Sequence, residues 1–151
     1  VFKHGGTLDK FIGDAVMAVW GAPVEHPDDA LSAVYAAIEI GARTDALTAE
    51  RRTRGLLTAS LAVGVATGDA IAGNVGDVRR MEYTVIGDAV NVAARLQQLA
   101  SENGAEVLIA EATAEALAGA VPTVPMGEVT VKHRAEPVGV YAVGADRPRP
   151  D

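Results

Sequence analysis

The chain has 151 residues, 49% of them hydrophobic, enough for one compact domain with a buried core and too few for two. Its 13 Lys and Arg against 20 Asp and Glu leave a formal charge of -7, the wrong sign for gripping a long phosphate backbone, so no nucleic-acid partner is expected. The absence of cysteine excludes a disulfide framework, a thiolate metal site and a cysteine nucleophile, and with no eighteen-residue apolar run or signal-peptide layout the segment reads as soluble, free of membrane contact and cytoplasmic.

Thr7 to Ile12 alternates as a strand, Gly13-Asp14 is a hairpin turn signal, and Ala15 to Trp20 returns as an apolar strand closed by Gly21-Ala22-Pro23. Pro27-Asp28-Asp29 starts a helix, with proline and acids in its first turn. Its apolar face is Leu31, Val34, Ile38 and Ala42, and it runs to about Glu50. Arg51 to Gly55 reads as a basic link, and the β-branched run Leu61 to Thr67 as a central strand. The glycine-rich "TGDAIAGNVGD" fits a strand, a bulge or a backbone surface approaching a ligand. Tyr83 to Ile86 is a short strand. "GDAVNVAARLQQLA" is a helix with Asp88 as N-cap and Val92, Leu96 and Leu99 facing inward. Val107 to Ala110 is a strand, Glu111 to Leu117 a short helix, and Val124 to Val131 pairs with Val138 to Val143. Hairpins among alternating strands and helices predict a mixed sheet covered by helices, an α/β (α+β) domain over 1–144, and the Pro-rich tail at 145–151 is expected to fray.

Chemistry-bearing residues gather at few places. Asp14 sits in the turn, where an aspartate serves nearby backbone N–H groups. Its carboxylate also suits a hard cation such as Mg2+ or Mn2+, which takes one or two carboxylates plus substrate phosphates. Lys10 fits a solvated strand lysine or a ligand contact. Asn91 and Arg95, at i and i+4, project from one side of their helix beside the Val92/Leu96/Leu99 stripe. They are either a surface polar pair or a device for stabilising charge on a transferring phosphoryl group. Arg79 and Arg80 fit solvated charges or a phosphate contact, and Lys132 and Arg134 lie at a hairpin. His4, His26 and His133 lack metal-ligand spacing, and the glycine-rich stretch matches neither a P-loop nor a dinucleotide fingerprint.

Together, "DKFIGDAVMAVWGAP", "GVATGDAIAGNVG" and "RRMEYTVIGDAVNVAARLQ" resemble the catalytic domain of class III nucleotidyl cyclases, bacterial adenylyl cyclases in particular. The resemblance runs from about Phe2 to Val143 and implies a ferredoxin-like fold that works as a homodimer, with ATP in a cleft between protomers. By resemblance, Asp14 is the second of two metal-binding aspartates, holding Mg2+ or Mn2+. Asn91 and Arg95 match the pair that positions ribose and stabilises the transition state. Lys132 matches a phosphate-contacting lysine, and Arg79 or Arg80 another phosphate contact. Lys10 and Thr84 match the two base-selecting positions, and chemistry agrees: adenine offers an acceptor at N1 and a donor at N6, whereas guanine reverses both. The implied reaction is attack of the ribose 3′ oxygen on the α-phosphorus of ATP, giving 3′,5′-cyclic AMP and pyrophosphate. Base selectors come from one protomer and metal ligands from the other, so Lys10 and Asp14 would serve different sites of one dimer.

Two departures accompany the resemblance. The family's first metal aspartate lies upstream, in a Phe-x-Asp-type strand; Asp9 does not replace it, so the chain is expected to be a fragment lacking the first strand and helix. His133 stands where the family's Lys-Gly-Lys-type turn has glycine. The alternative to an active cyclase is a catalytically silent module that binds nucleotide or dimerises.

Overall fold

The computed structural model describes residues 1–144, and the tail expected to fray lies outside them. After a short 3-10 turn at Phe2–His4, the chain forms β1 (Thr7–Ile12), β2 (Ala15–Val19), α1 (Asp29–Thr53), β3 (Val63–Val65), β4 (Ile71–Asp77) and β5 (Arg80–Ile86). It continues with α2 (Asp88–Asn103), β6 (Val107–Ala110), α3 (Glu111–Leu117), β7 (Thr123–Val129) and β8 (Val138–Val143). The mixed sheet has the order β3-β6-β8-β7, with β3 parallel to β6 and the remaining pairs antiparallel. β1 with β2, and β4 with β5, pair as separate antiparallel hairpins.

β6 organises the core. All of its positions are buried, and successive side chains leave opposite faces of a strand. Val107 and Ile109 therefore pack with Val34 and Ala37 of α1 and with Leu117 of α3. Leu108 and Ala110 pack with Val92, Leu96 and Ala100 of α2. A fully buried leucine such as Leu96 contributes roughly 2–3 kcal/mol by leaving water. Leu31 and Ile38 flank the first cluster, so the apolar face expected for α1 is the one that packs.

The position of α2 is set by one glycine. A Cβ on Gly64 would lie 2.2 Å from the Ala93 carbonyl oxygen and 2.4 Å from the Gln97 nitrogen, so only glycine lets the helix backbone rest on β3. That contact fixes the height at which Asn91 and Arg95 stand above the sheet.

Four local expectations are corrected. Of the run Leu61 to Thr67 only Val63–Val65 pairs, and β3 is an edge strand of the four-stranded sheet. It reads as central because both faces are covered: Ala62 and Ala66 pack toward α2, Val63 and Val65 toward α1. Helix α1 starts at Asp29 and absorbs the supposed basic link as far as Thr53. Arg51 and Arg52 there face the negative end of the helix dipole. Asp88 is the first helical residue of α2 with Gly87 at the N-cap; its carboxylate makes no capping bond and pairs with Arg134. The β2 strand ends at Val19, leaving Trp20 to donate from Nε1 to the His4 carbonyl at 2.8 Å.

Glu39 of α1 ties the N-terminal turn to the domain. It accepts from Lys3 at 2.9 Å, meets His4 Nε2 at 2.6 Å and accepts from Arg43 at 2.7 Å. These partners, Lys3 foremost, hold its carboxyl down from 4.5 to about 2. A depressed carboxylate contributes stability above its unfolded pKa and loses it as pH falls through the folded one. The clamp should therefore weaken between pH 4.5 and about 2. Fluorescence of Trp20, the chain's one tryptophan, checks this: the wild type should show a transition in that window and Glu39→Gln should lack it. Identical profiles would contradict the clamp.

Candidate active site

Two clusters of the predicted residues form on this chain. The first joins the two hairpins: Lys10 Nζ on β1 donates to Thr84 Oγ1 on β5 at 3.0 Å. Glu82, two residues along β5 and so on the same face as Thr84, places Oε1 3.5 Å from the ammonium. The β1–β2 register runs from Leu8↔Ala18 to Lys10↔Met17, so Asp9 is an extra residue, a β-bulge. The bulge leaves Asp9 Oδ2 3.7 Å from Lys10 Nζ, with the Asp9 side chain 1% exposed. Neither carboxylate oxygen of Asp9 has a hydrogen-bond partner. Removing a carboxylate from water costs on the order of several kcal/mol, so this arrangement is tolerated only beside a cation.

The second cluster lines an open cleft of about 380 Å³ between α2 and the turn that follows β7. Asn91, Arg95 and Gln98 contribute from the helix, Lys132 and His133 from the turn, over an apolar floor that includes Ala94 and Val131. Asn91 and Arg95 share this side because i and i+4 positions stack on one helix face, while Val92 and Leu96 turn into the core. Arg95 is only loosely engaged, at 3.7 Å from Glu102, so its guanidinium remains available to an anion. The turn is anchored to the start of α2 by the Arg134–Asp88 ion pair and closed by the Arg134 N–H donating to the Val131 carbonyl. His133 has φ 66°, in the left-handed region that favours glycine.

Asp14 and Arg80 belong to neither cluster. Asp14 is exposed in the turn between β1 and β2, about 10 Å along the strand from Lys10 at the usual rise per residue. Arg80 is exposed at the far end of the β4–β5 hairpin, opposite Asp77, and lies roughly 13 Å along β5 from Thr84. Its neighbour Arg79 is the one that pairs with Asp77, at 3.6 Å. Each hairpin thus carries one member of the Lys10–Thr84 pair near its base and one exposed charged residue, Asp14 or Arg80, toward its tip. Among the described residues, no three His, Cys, Asp or Glu side chains gather as a metal site.

Asp9, Glu82, Gln98 and His133 were not among the residues the sequence singled out for these clusters. Only His133 carried a signal, as an oddity in a glycine position. The bulge that turns Asp9 toward Lys10, and the cross-hairpin approach of Glu82, have no local sequence mark.

A family model described as the adenylate and guanylate cyclase catalytic domain matches residues 4–144. The chain belongs to this family, the class III nucleotidyl cyclases. The cyclase domain is 35% identical over 143 residues to adenylate cyclase 1 of Rhizobium meliloti strain 1021, covering 95% of this chain and 22% of that protein. It is 38% identical over 148 residues to the terminal-differentiation-specific adenylate cyclase of Dictyostelium discoideum, covering 95% of this chain and 7% of that protein. The chain therefore spans less than a quarter of the length of either relative. Among solved structures, the adenylyl cyclase CyaB from P. aeruginosa matches with a TM-score of 0.86 at 34% identity, over 97% of this chain and 75% of that one. The guanylyl cyclase Cya2 matches at 0.82 with 29% identity, over 94% and 71%. Both kinds of cyclase share this fold, so the choice of base falls to individual residues.

The left-handed backbone at His133 costs roughly 1–2 kcal/mol for a residue with a Cβ. His133→Gly should stabilise the cyclase domain by up to about 1 kcal/mol after the extra freedom of an unfolded glycine is counted. Urea unfolding checks this; a loss of stability would mean that the imidazole makes a compensating contact.

Proposed function

We propose that this cyclase domain is an adenylyl cyclase that converts ATP to 3′,5′-cyclic AMP and pyrophosphate, with each active site shared between two copies of the chain. The observation that carries the reading is the 3.0 Å contact between Lys10 and Thr84. It brings a cationic donor and a hydroxyl acceptor side by side, the pattern that adenine N1 and N6–H complement. Lys10 has N–H groups beyond the one given to Thr84, and the Thr84 oxygen has a second lone pair, so both can serve a base while keeping their mutual bond. Guanine would set its N1–H against the ammonium, donor against donor, while the Thr84 hydroxyl can turn to donate to its carbonyl; the mismatch at Lys10 is therefore what discriminates. The likeness to adenylate cyclase 1 and to CyaB supports the same choice.

Asn91 orients the ribose, and Arg95 and Lys132 offset negative charge as the 3′ oxygen bonds to the α-phosphorus and the bond to the departing pyrophosphate breaks. The proton of the 3′ hydroxyl leaves to solvent or to pyrophosphate. Arg80 contacts phosphate from the hairpin tip. Asp14 fits a hard-cation ligand: it is an exposed carboxylate with no ion-pair or hydrogen-bond partner among the described residues, and substrate phosphates would supply further oxygen ligands. Mg2+ or Mn2+ held there would supply charge neutralisation and a more acidic 3′ hydroxyl. Because Asp14 and Arg80 stand away from both clusters, a second copy is assigned the role of bringing them to the nucleotide. No helix among the described residues is long and apolar enough to cross a membrane, and cytoplasmic ATP is the substrate pool this reading requires.

Cyclic nucleotide formation from ATP and from GTP tests the proposal. Lys10→Glu, which replaces a donor by an acceptor, should lower the ATP-to-GTP ratio of kcat/KM by roughly 100-fold or more. An unchanged ratio would remove base selection from Lys10, and ATP binding without turnover in the wild type would support the silent-module reading instead.

A further inference from the structure

We propose that Asp9 is a positioning residue that holds the Lys10 ammonium where it reads the base of the nucleotide. The inference rests on the adenylyl cyclase reading, which gives Lys10 its role, and extends it to a residue that would not itself touch substrate.

Asp9 Oδ1 and Oδ2 are the buried side-chain polar atoms left without a hydrogen bond among the described residues. Native proteins pair such groups almost without exception, so an unpaired carboxylate with a 1% exposed side chain needs a reason to persist. The hairpin alone gives none. A regular strand would send Asp9 and Lys10 to opposite faces; the bulge after Leu8 turns them to one side, at the cost of a ladder position. Bulges that re-aim a side chain recur beside active sites.

The Lys10 ammonium has three neighbours: Thr84 Oγ1 at 3.0 Å, Glu82 Oε1 at 3.5 Å and Asp9 Oδ2 at 3.7 Å. The two carboxylates are not equivalent. Glu82 is 64% exposed, so water and salt screen its pull. Asp9 is walled off from water, and its field on the ammonium is correspondingly stronger. Lys10 itself is 29% exposed on a long, flexible stem. Without Asp9 that stem could follow Glu82 toward solvent; with it, the ammonium is drawn inward onto Thr84. Both distances to carboxylate exceed hydrogen-bond range, so the charge is held while N–H groups stay free for the base.

The test uses the full-length protein with Asp9→Asn, Asp9→Ser, Lys10→Ala and the double variant Asp9→Asn/Lys10→Ala, assayed with ATP and GTP and by thermal unfolding. Asp9→Asn should raise KM for ATP about tenfold with a much smaller change in kcat, and should lower the ATP preference by a similar factor. Its melting temperature should not fall, because the charge removed has no hydrogen bond to lose. In the Lys10→Ala background the same change should have no further effect on preference. Asp9→Ser keeps the test open if the asparagine variant does not fold. Equal losses with both nucleotides, additivity with Lys10→Ala, or a lowered melting temperature in both Asp9 variants with unchanged preference would each overturn the inference and leave Asp9 a structural residue. If Lys10→Ala itself leaves the preference unchanged, base selection by Lys10 falls and this inference with it; a shift with Lys10→Ala but not with either Asp9 variant overturns this inference alone.

Discussion

The close approach of α2 to the backbone of Gly64 is the constraint on which the rest of the structure depends. With Ala93 and Gln97 backbone atoms nearly touching the position a side chain would occupy, the helix has one depth at which it can lie. Val92, Leu96 and Ala100 then meet Leu108 and Ala110 of β6, and the same strand carries Val107 and Ile109 to α1 on the other face. A rigid helix docked this way projects Asn91 and Arg95 into the cleft beside Lys132 without any loop having to place them. Preorganised donors aimed at developing charge are worth far more than mobile ones.

Around that fixed helix the remaining groups are distributed in a pattern with a consequence. Lys10 and Thr84 meet across two hairpins, while Asp14 and Arg80 sit toward the hairpin tips. The hairpins also expose large apolar side chains, among them Phe11, Ile71, Val78 and Met81, in keeping with faces that another protein surface covers. Under the proposed reading these groups are complementary halves of a site that two-fold pairing would complete, and an identical pair would then contain two equivalent sites.

Much of this was legible in the sequence where the signal is local. Thr7–Ile12, Val107–Ala110, Glu111–Leu117 and Val138–Val143 have the boundaries that turn residues and hydrophobic periodicity give. Asn91 and Arg95 were legible as a pair because helical spacing alone puts them on one side. Burial and pairing were harder to separate: β3 is apolar on both faces, yet it pairs with one neighbour in its sheet, and composition does not distinguish the two conditions. Asp88 looked like a cap because capping aspartates and first-turn aspartates favour the same end of a helix; Arg134, 46 residues away, decided between them. The Lys10–Thr84 contact spans 74 residues, and in the sequence only the family resemblance, which matches both to base-selecting positions, relates the two. The Asp9 bulge depends on strand register, which no single residue in β1 announces.

The central claim, that one chain supplies complementary halves of two shared sites, is tested most directly by mixing two inactive variants. Asp14→Ala and Arg95→Ala should each abolish cyclic AMP formation from ATP alone. In a mixed dimer one site takes both lesions and the other takes neither, so an equimolar mixture at exchange equilibrium should recover about a quarter of wild-type activity. No recovery, despite demonstrated formation of mixed dimers, would place Asp14 and Arg95 of one and the same copy in a single site and contradict the account.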